Sequence, residues 1–235
     1  MCEYKSIPCI KKMRKGYQDI FDEMVKAYAE KLSSRIILSN SAFTLHDFDH
    51  HCFNIYKIIS YVLFNEELVY TEDYGLSQRE LLILNLAVLF HDIGMSEVLG
   101  VARENHSVKS AEFIQREYDD ANRPLRNKTD LTISEIKALK AIVVAHSNIK
   151  DGSVSAQENG LYSHHLKDYS AKNGTKIRTK FLAGVLRLAD ELDVSSERLG
   201  TGEIEQQIEE GERKFERLKK EAVTEGQKRE VREWE

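Results

Sequence analysis

Cysteine, proline and long apolar runs are all scarce in this 235-residue chain, and each scarcity excludes something. The three cysteines, Cys2, Cys9 and Cys52, form no CxxC pair, so neither a disulfide framework nor a thiolate zinc site is indicated, and a reducing cytoplasm is the expected setting. Only two prolines, Pro8 and Pro124, interrupt the chain, and β-branched alternation is rare, which leaves long stretches free to run as helix. The start, MCEYKSIPCIKKMRKGYQ, has no secretory hydrophobic region, and the longest apolar run, Leu81 to Phe90, is too short to span a bilayer and is broken by Asn85. Positive charge is in deficit: 34 Lys and Arg against 39 Asp and Glu give a net −5, which argues against broad attraction to nucleic acid or an anionic membrane and leaves small phosphorylated ligands open.

What is present is enough apolar content, 41%, to bury a substantial core, in an all-α pattern. Ile20, Phe21, Met24, Tyr28 and Leu32 recur at helical spacing and predict an N-terminal amphipathic helix within 1–42. A second helix is expected from about Asp49 to Phe64. A third opens on the capping box Ser77/Glu80 and carries the apolar run, with Gly94 expected as a left-handed C-terminal cap. A helix from about Ser107 to Tyr118 follows, then one from the capping box Thr132/Glu135 to His146, then one from Lys180 to Leu192, in which Gly184 suggests a close helix–helix approach. Residues 148–176, with three glycines, read as a long loop and a candidate lid. Beyond Gly200, 19 of the last 35 residues are charged, yet Ile204, Ile208, Phe215, Leu218 and Ala222 keep one narrow apolar seam. Residues 201–235 are therefore expected to form a charged helical extension that packs on the main domain, on a partner helix or on a second copy through 203–222, or that leads into a further domain, the alternative being a solvated, frayed helix.

The chemistry sits where charge meets the apolar run. His91 and Asp92 follow Phe90 directly, and a carboxylate beside an imidazole at the mouth of a buried helix is unfavourable unless paired or bound to a metal. His51 shares its helical stripe with Ile55, Ile58, Ile59 and Val62, whereas His50 is followed on its face by Asn54 and Lys57, so His51 points inward. Asp190 lies on the stripe of Leu182, Ala183 and Leu186, while Glu191 follows Arg187 at i+4 as a surface pair. Two imidazoles and two carboxylates make an N/O donor set that suits Mn, Fe, Ni, Co, Zn or Mg. His46, His164 and His165 read as surface groups.

The order His51, His91-Asp92, Asp190, carried by HCFNIYKII, LAVLFHDIG and LRLADELD, resembles the HD superfamily of metal-dependent phosphohydrolases over residues 43–200. The resemblance implies an HD-domain helical bundle with a buried site of one or two divalent ions held by His51, His91, Asp92 and Asp190. It also implies hydrolysis of a phosphomonoester or phosphodiester, most readily in a nucleotide. Members of the superfamily use further histidines for a second metal or for phosphate, and inward-facing His106 and His146 are the candidates here. Asp193, one turn past Asp190, is a candidate general base, ribose contact or helix-end cap, and Arg103, Lys109 and Arg198 are candidate phosphate contacts. Met95 follows HDIG where members acting on cyclic dinucleotides have lysine, which argues against that subclass. The competing reading is a regulatory HD module that binds metal or nucleotide and signals to a partner without turnover.

Overall fold

The computed structural model describes residues 3–35, 48–64, 75–96, 106–147 and 166–193. A 3-10 turn (Glu3–Ser6) leads into the short α1 (Pro8–Lys11), where proline in the first turn sacrifices no helical hydrogen bond, and then into α2 (Lys15–Arg35). α3, residues 48–63, is π-wound over Phe48–Cys52 and Ile58–Leu63 and α-wound over Phe53–Lys57. There follow α4 (Gln78–Phe90), a 3-10 turn (Ile93–Ser96), α5 (His106–Asp119), α6 (Pro124–Asn127), α7 (Ile133–Ala145), a two-stranded ribbon of β1 (Tyr169–Ser170) and β2 (Lys176–Ile177), and α8 (Thr179–Leu192). The all-α class holds. The ribbon corrects the expectation of an irregular loop over 148–176: Tyr169 pairs with Ile177 and Ser170 with Lys176, and Gly174 at φ 80° closes the turn. Residues 148–165 of that stretch and the expected extension at 201–235 lie outside the described residues. Among the described residues, no helix is long and apolar enough to cross a membrane.

α4 is the central element. Every residue from Arg79 to Phe90 is buried, as befits a helix that is apolar nearly all round. Its interruption, Asn85, is satisfied rather than stranded: Nδ2 donates to the carbonyls of Cys9 (3.0 Å) and Leu81 (2.9 Å), so the polar side chain pins α1 onto the helix. α2 covers another side with Phe21, Met24, Tyr28 and Leu32, and the Tyr28 ring meets those of Phe90 and Phe113 edge-on at 5.1 and 5.7 Å.

Three helices, α4, α7 and α8, run in the same direction, and polar ties fix their starts. The capping boxes Ser77/Glu80 and Thr132/Glu135 both form. Arg79 at the head of α4 binds both carboxylate oxygens of Glu135 at the head of α7, with Nη2 to Oε2 at 2.9 Å. Glu80 in turn accepts from Arg178 Nε (2.8 Å), Nη2 (2.9 Å) and backbone N (3.0 Å) at the head of α8. With the three starts tied together, the three C-terminal ends emerge on the opposite side, where their dipoles all present negative charge. The residues that follow these ends are His91, His146 and Asp193.

Two glycine expectations change. Gly94 is not a left-handed cap, since Gly174 is the positive-φ residue among those described. Instead the 3-10 turn at Gly94 presses against the start of α5, and a Cβ there would lie 2.4 Å from His106 O and 2.5 Å from Ser110 N. Gly184 does not mark a close approach: a Cβ on it would meet nothing within 4 Å.

Candidate metal centre

Five helix ends deliver the polar side chains to one place. His51 comes from the first turn of α3 and is fully buried, while His50 is exposed, as the stripe analysis predicts. The stripe holds for Ile55 and Ile59 and fails at Val62, which is 66% exposed, because the π-winding of residues 58–63 moves later positions off the 3.6-residue face. His91 and Asp92 follow α4, His106 opens α5, His146 follows α7, and Asp190 and Asp193 end α8. Glu191 stays outside, 4.0 Å from Arg187.

The seven side chains form two connected clusters around Asp92. On one side His51 Nε2 lies 3.0 Å from His91 Nε2 and 3.3 Å from Asp190 Oδ1, and Asp92 Oδ2 is 3.5 and 3.3 Å from the two imidazole nitrogens. On the other side Asp92 Oδ1 lies 3.2 Å from His106 Nε2 and 3.7 Å from His146 Nε2, and those two nitrogens are 3.0 Å apart. His51, His91 and Asp190 could hold one ion, and so could His91, Asp92 and His146, with ligand atoms within 4.8 Å of one another in each group. Asp92 contributes an oxygen to each side. The side chains of Asp190, 25% exposed, and His106, 12% exposed, mark the rim through which solvent reaches the cluster.

The far ring nitrogens settle which atoms face inward. His91 Nδ1 lies 2.8 Å from the carbonyl of Val88, and His146 Nδ1 is bonded to the carbonyl of Val143. A carbonyl only accepts, so each Nδ1 carries the proton and each Nε2 turns a lone pair to the centre. His51 Nδ1 lies 2.7 Å from Asp193 Oδ2, a carboxylate, and obeys the same logic. Inward ring nitrogens 3.0 Å apart with carboxylates alongside are bridged by a proton or by a metal cation, and an N/O set of this kind could hold a divalent transition ion or Mg.

Without an ion, a second proton takes its place on His51. Burial works against a charged His51, yet hydrogen bonds to Asp190, Asp193 and Asp92 outweigh it and push the imidazole up to about 10. For Asp190 burial acts upward, but the His51 hydrogen bond and the neighbouring imidazoles hold the carboxyl well below its usual range. His146 is pushed below its ordinary value by burial, with His91 and His106 adding to the effect and Asp92 opposing it.

The structure thus brings together His51, His91, Asp92, Asp190, His106, His146 and Asp193. Asp193 is 3% exposed and sits behind the His51 ring, where it touches the nitrogen that faces away from the centre. Lys109, partly exposed on α5, pairs with Glu112 at 2.8 Å. Arg103, Arg198, His46, His164 and His165 lie outside the described residues. Two supporting groups have roles that the sequence does not specify. Ser110 accepts from Gly94 N (2.8 Å) and donates to His91 O (2.7 Å), and Asn54 donates to Asp193 Oδ1 at 3.4 Å. The i+4 spacing of His106 and Ser110 was the available signal for the first.

The model of the HD-CE family matches residues 41–206. Neither the curated proteins nor the solved structures give a match.

Proposed function

The chain belongs to the HD-CE family, and on that premise we propose that it is a metal-dependent phosphohydrolase of the HD superfamily, cleaving a phosphomonoester or phosphodiester bond of a nucleotide. The observation that carries the reading is the division of Asp92: Oδ2 faces the His51/His91 pair at 3.5 and 3.3 Å, and Oδ1 faces the His106/His146 pair at 3.2 and 3.7 Å. One carboxylate between two nitrogen pairs would suit two ions side by side, the kind of site that supports in-line displacement at phosphorus.

His51, His91, Asp190 and Asp92 Oδ2 would hold the first ion, and Asp92 Oδ1, His106 and His146 the second. Bound there, divalent ions lower the pKa of coordinated water and neutralise phosphate oxygens. The protein's own part is to present unprotonated Nε2 atoms and to seal the inner side with α4. It also leaves Asp190 and His106 at the rim where the phosphate enters. Lys109, one turn into α5, and Arg103 and Arg198 are the proposed phosphate contacts.

The test is a nucleotide hydrolysis screen with Mn, Mg, Co and Ni, comparing the parent with Asp92→Ala. Loss of the shared carboxylate should abolish turnover and halve the metal content. A metal-loaded parent that releases product from no nucleotide in the panel would overturn the reading in favour of a binding module.

A further inference from the structure

We propose that Asp193 is a positioning residue that fixes His51 as an Nε2 donor and strengthens it as a ligand. The inference rests on the metal-centre reading and assigns a part that the four-ligand motif does not contain. His91 and His146 follow helix C-termini, where the carbonyls of the last turn have no amide partner, and each uses the carbonyl three residues back to hold its Nδ1 proton. His51 stands in the first turn of α3, where carbonyls are already engaged by amides further along the helix. It needs an acceptor from elsewhere, and Asp193 supplies one from 142 positions away, at 2.7 Å and with 3% exposure.

The substitution of a carboxylate for a carbonyl has a chemical consequence. A charged acceptor on Nδ1–H pushes electron density toward Nε2, so His51 is a stronger donor than it would be with a carbonyl behind it. Asp193 is itself held: its backbone N donates to Asp190 O at 3.1 Å, and Oδ1 accepts from Asn54 Nδ2 at 3.4 Å. Asn54 is on α3 and Asp190 on α8, so one carboxylate registers the two helices that bring His51 and Asp190 together.

Cobalt(II) titration of the full chain, followed by its visible absorption, tests this in the parent, Asp193→Asn, Asp193→Ala and, as a ligand-loss control, Asp190→Ala. Asp193→Ala should keep the cobalt stoichiometry and weaken the first site by about 10- to 100-fold, with Asp193→Asn in between because an amide oxygen still accepts the proton. The exchangeable ring N–H resonance of cobalt-bound His51 should exchange with water faster in both variants. Affinity within about twofold of the parent and unchanged N–H exchange in both would overturn the proposal while leaving the metal centre intact. If Asp193→Ala fails to fold, Asp193→Asn, which preserves volume, decides alone. A parent that takes up no cobalt would remove the metal-centre reading and this inference with it.

Discussion

A single methyl group at Gly94 should loosen one half of the metal centre and spare the other. The Cβ of Gly94→Ala would stand 2.4 Å from His106 O, 2.5 Å from Ser110 N and 2.8 Å from Lys109 Cβ, where ordinary contact begins at 3.4 Å. The first two are backbone atoms, so no rotamer change relieves the clash, and the start of α5 must retreat by about 1 Å. That motion carries His106 away from Asp92 Oδ1, now at 3.2 Å, and stretches the Ser110 hydroxyl bridge between Gly94 N and His91 O. Overpacking of this kind costs about 1–3 kcal/mol and a stretched buried hydrogen bond about 1 kcal/mol, so a total of about 2–4 kcal/mol is expected. Urea unfolding reads the stability, and metal content per chain after dialysis against manganese reads the site. The second ion should be lost while the ion at His51, His91 and Asp190 is retained. A variant within about 0.5 kcal/mol of the parent that still holds two ions would refute the close-approach account of this glycine.

Three further outcomes follow from the same geometry. Because the His51 imidazole is raised from 6.5 to about 10, its stabilisation of the ion-free chain is complete below pH about 6.5 and is lost as pH rises through about 10, which thermal unfolding in chelator should show. Metal competes for the same nitrogen, so cobalt affinity should rise across that window, by up to about tenfold per pH unit, and a flat profile would sink the assignment of His51 as a ligand. Arg79→Met leaves the buried Glu135 carboxylate without its cation and should cost about 3–5 kcal/mol in urea unfolding, whereas Arg79→Met with Glu135→Gln, which removes the charge and keeps an acceptor for Thr132, should recover most of that loss.

What was legible in the sequence was local. The capping boxes Ser77/Glu80 and Thr132/Glu135 need only three residues of spacing to specify a helix start, and both formed. His51 was separable from His50, and Asp190 from Glu191, because a few turns of α-helical stripe decide which face is apolar. The failures share a cause. Val62 left its stripe because hydrogen bonding shifted to the π pattern, which no residue in IISYVL announces. The ribbon at 169–177 has strands of two residues, too short to show alternation. The tight packing at Gly94, the vacant surroundings of Gly184 and the Asp193–His51 bond are properties of elements brought together over long separations, and spacing along the chain carries no record of them.

The two ends of α4 show how a structural charge cluster differs from a reactive one. Both ends bury adjacent ionisable residues, Arg79-Glu80 at the start and His91-Asp92 at the finish, and burial alone does not distinguish them. At the start, donors meet acceptors: Arg79 spans both oxygens of Glu135, and Glu80 takes up the guanidinium and backbone N–H of Arg178. Such a network is complete within the protein and fixes the helix register. At the finish, ring nitrogens face one another, since Nε2 of His51 looks at Nε2 of His91 and Nε2 of His106 at Nε2 of His146, each at 3.0 Å, with Asp92 between them. With the Nδ1 protons committed to Asp193, Val88 and Val143, the His51–His91 contact takes a further proton, held at His51 by the neighbouring carboxylates, or a metal ion in its place. The Arg79–Glu80 end of α4 therefore supplies the rigidity, and the His91–Asp92 end, under three convergent negative helix dipoles, gathers the groups that could hold a cation.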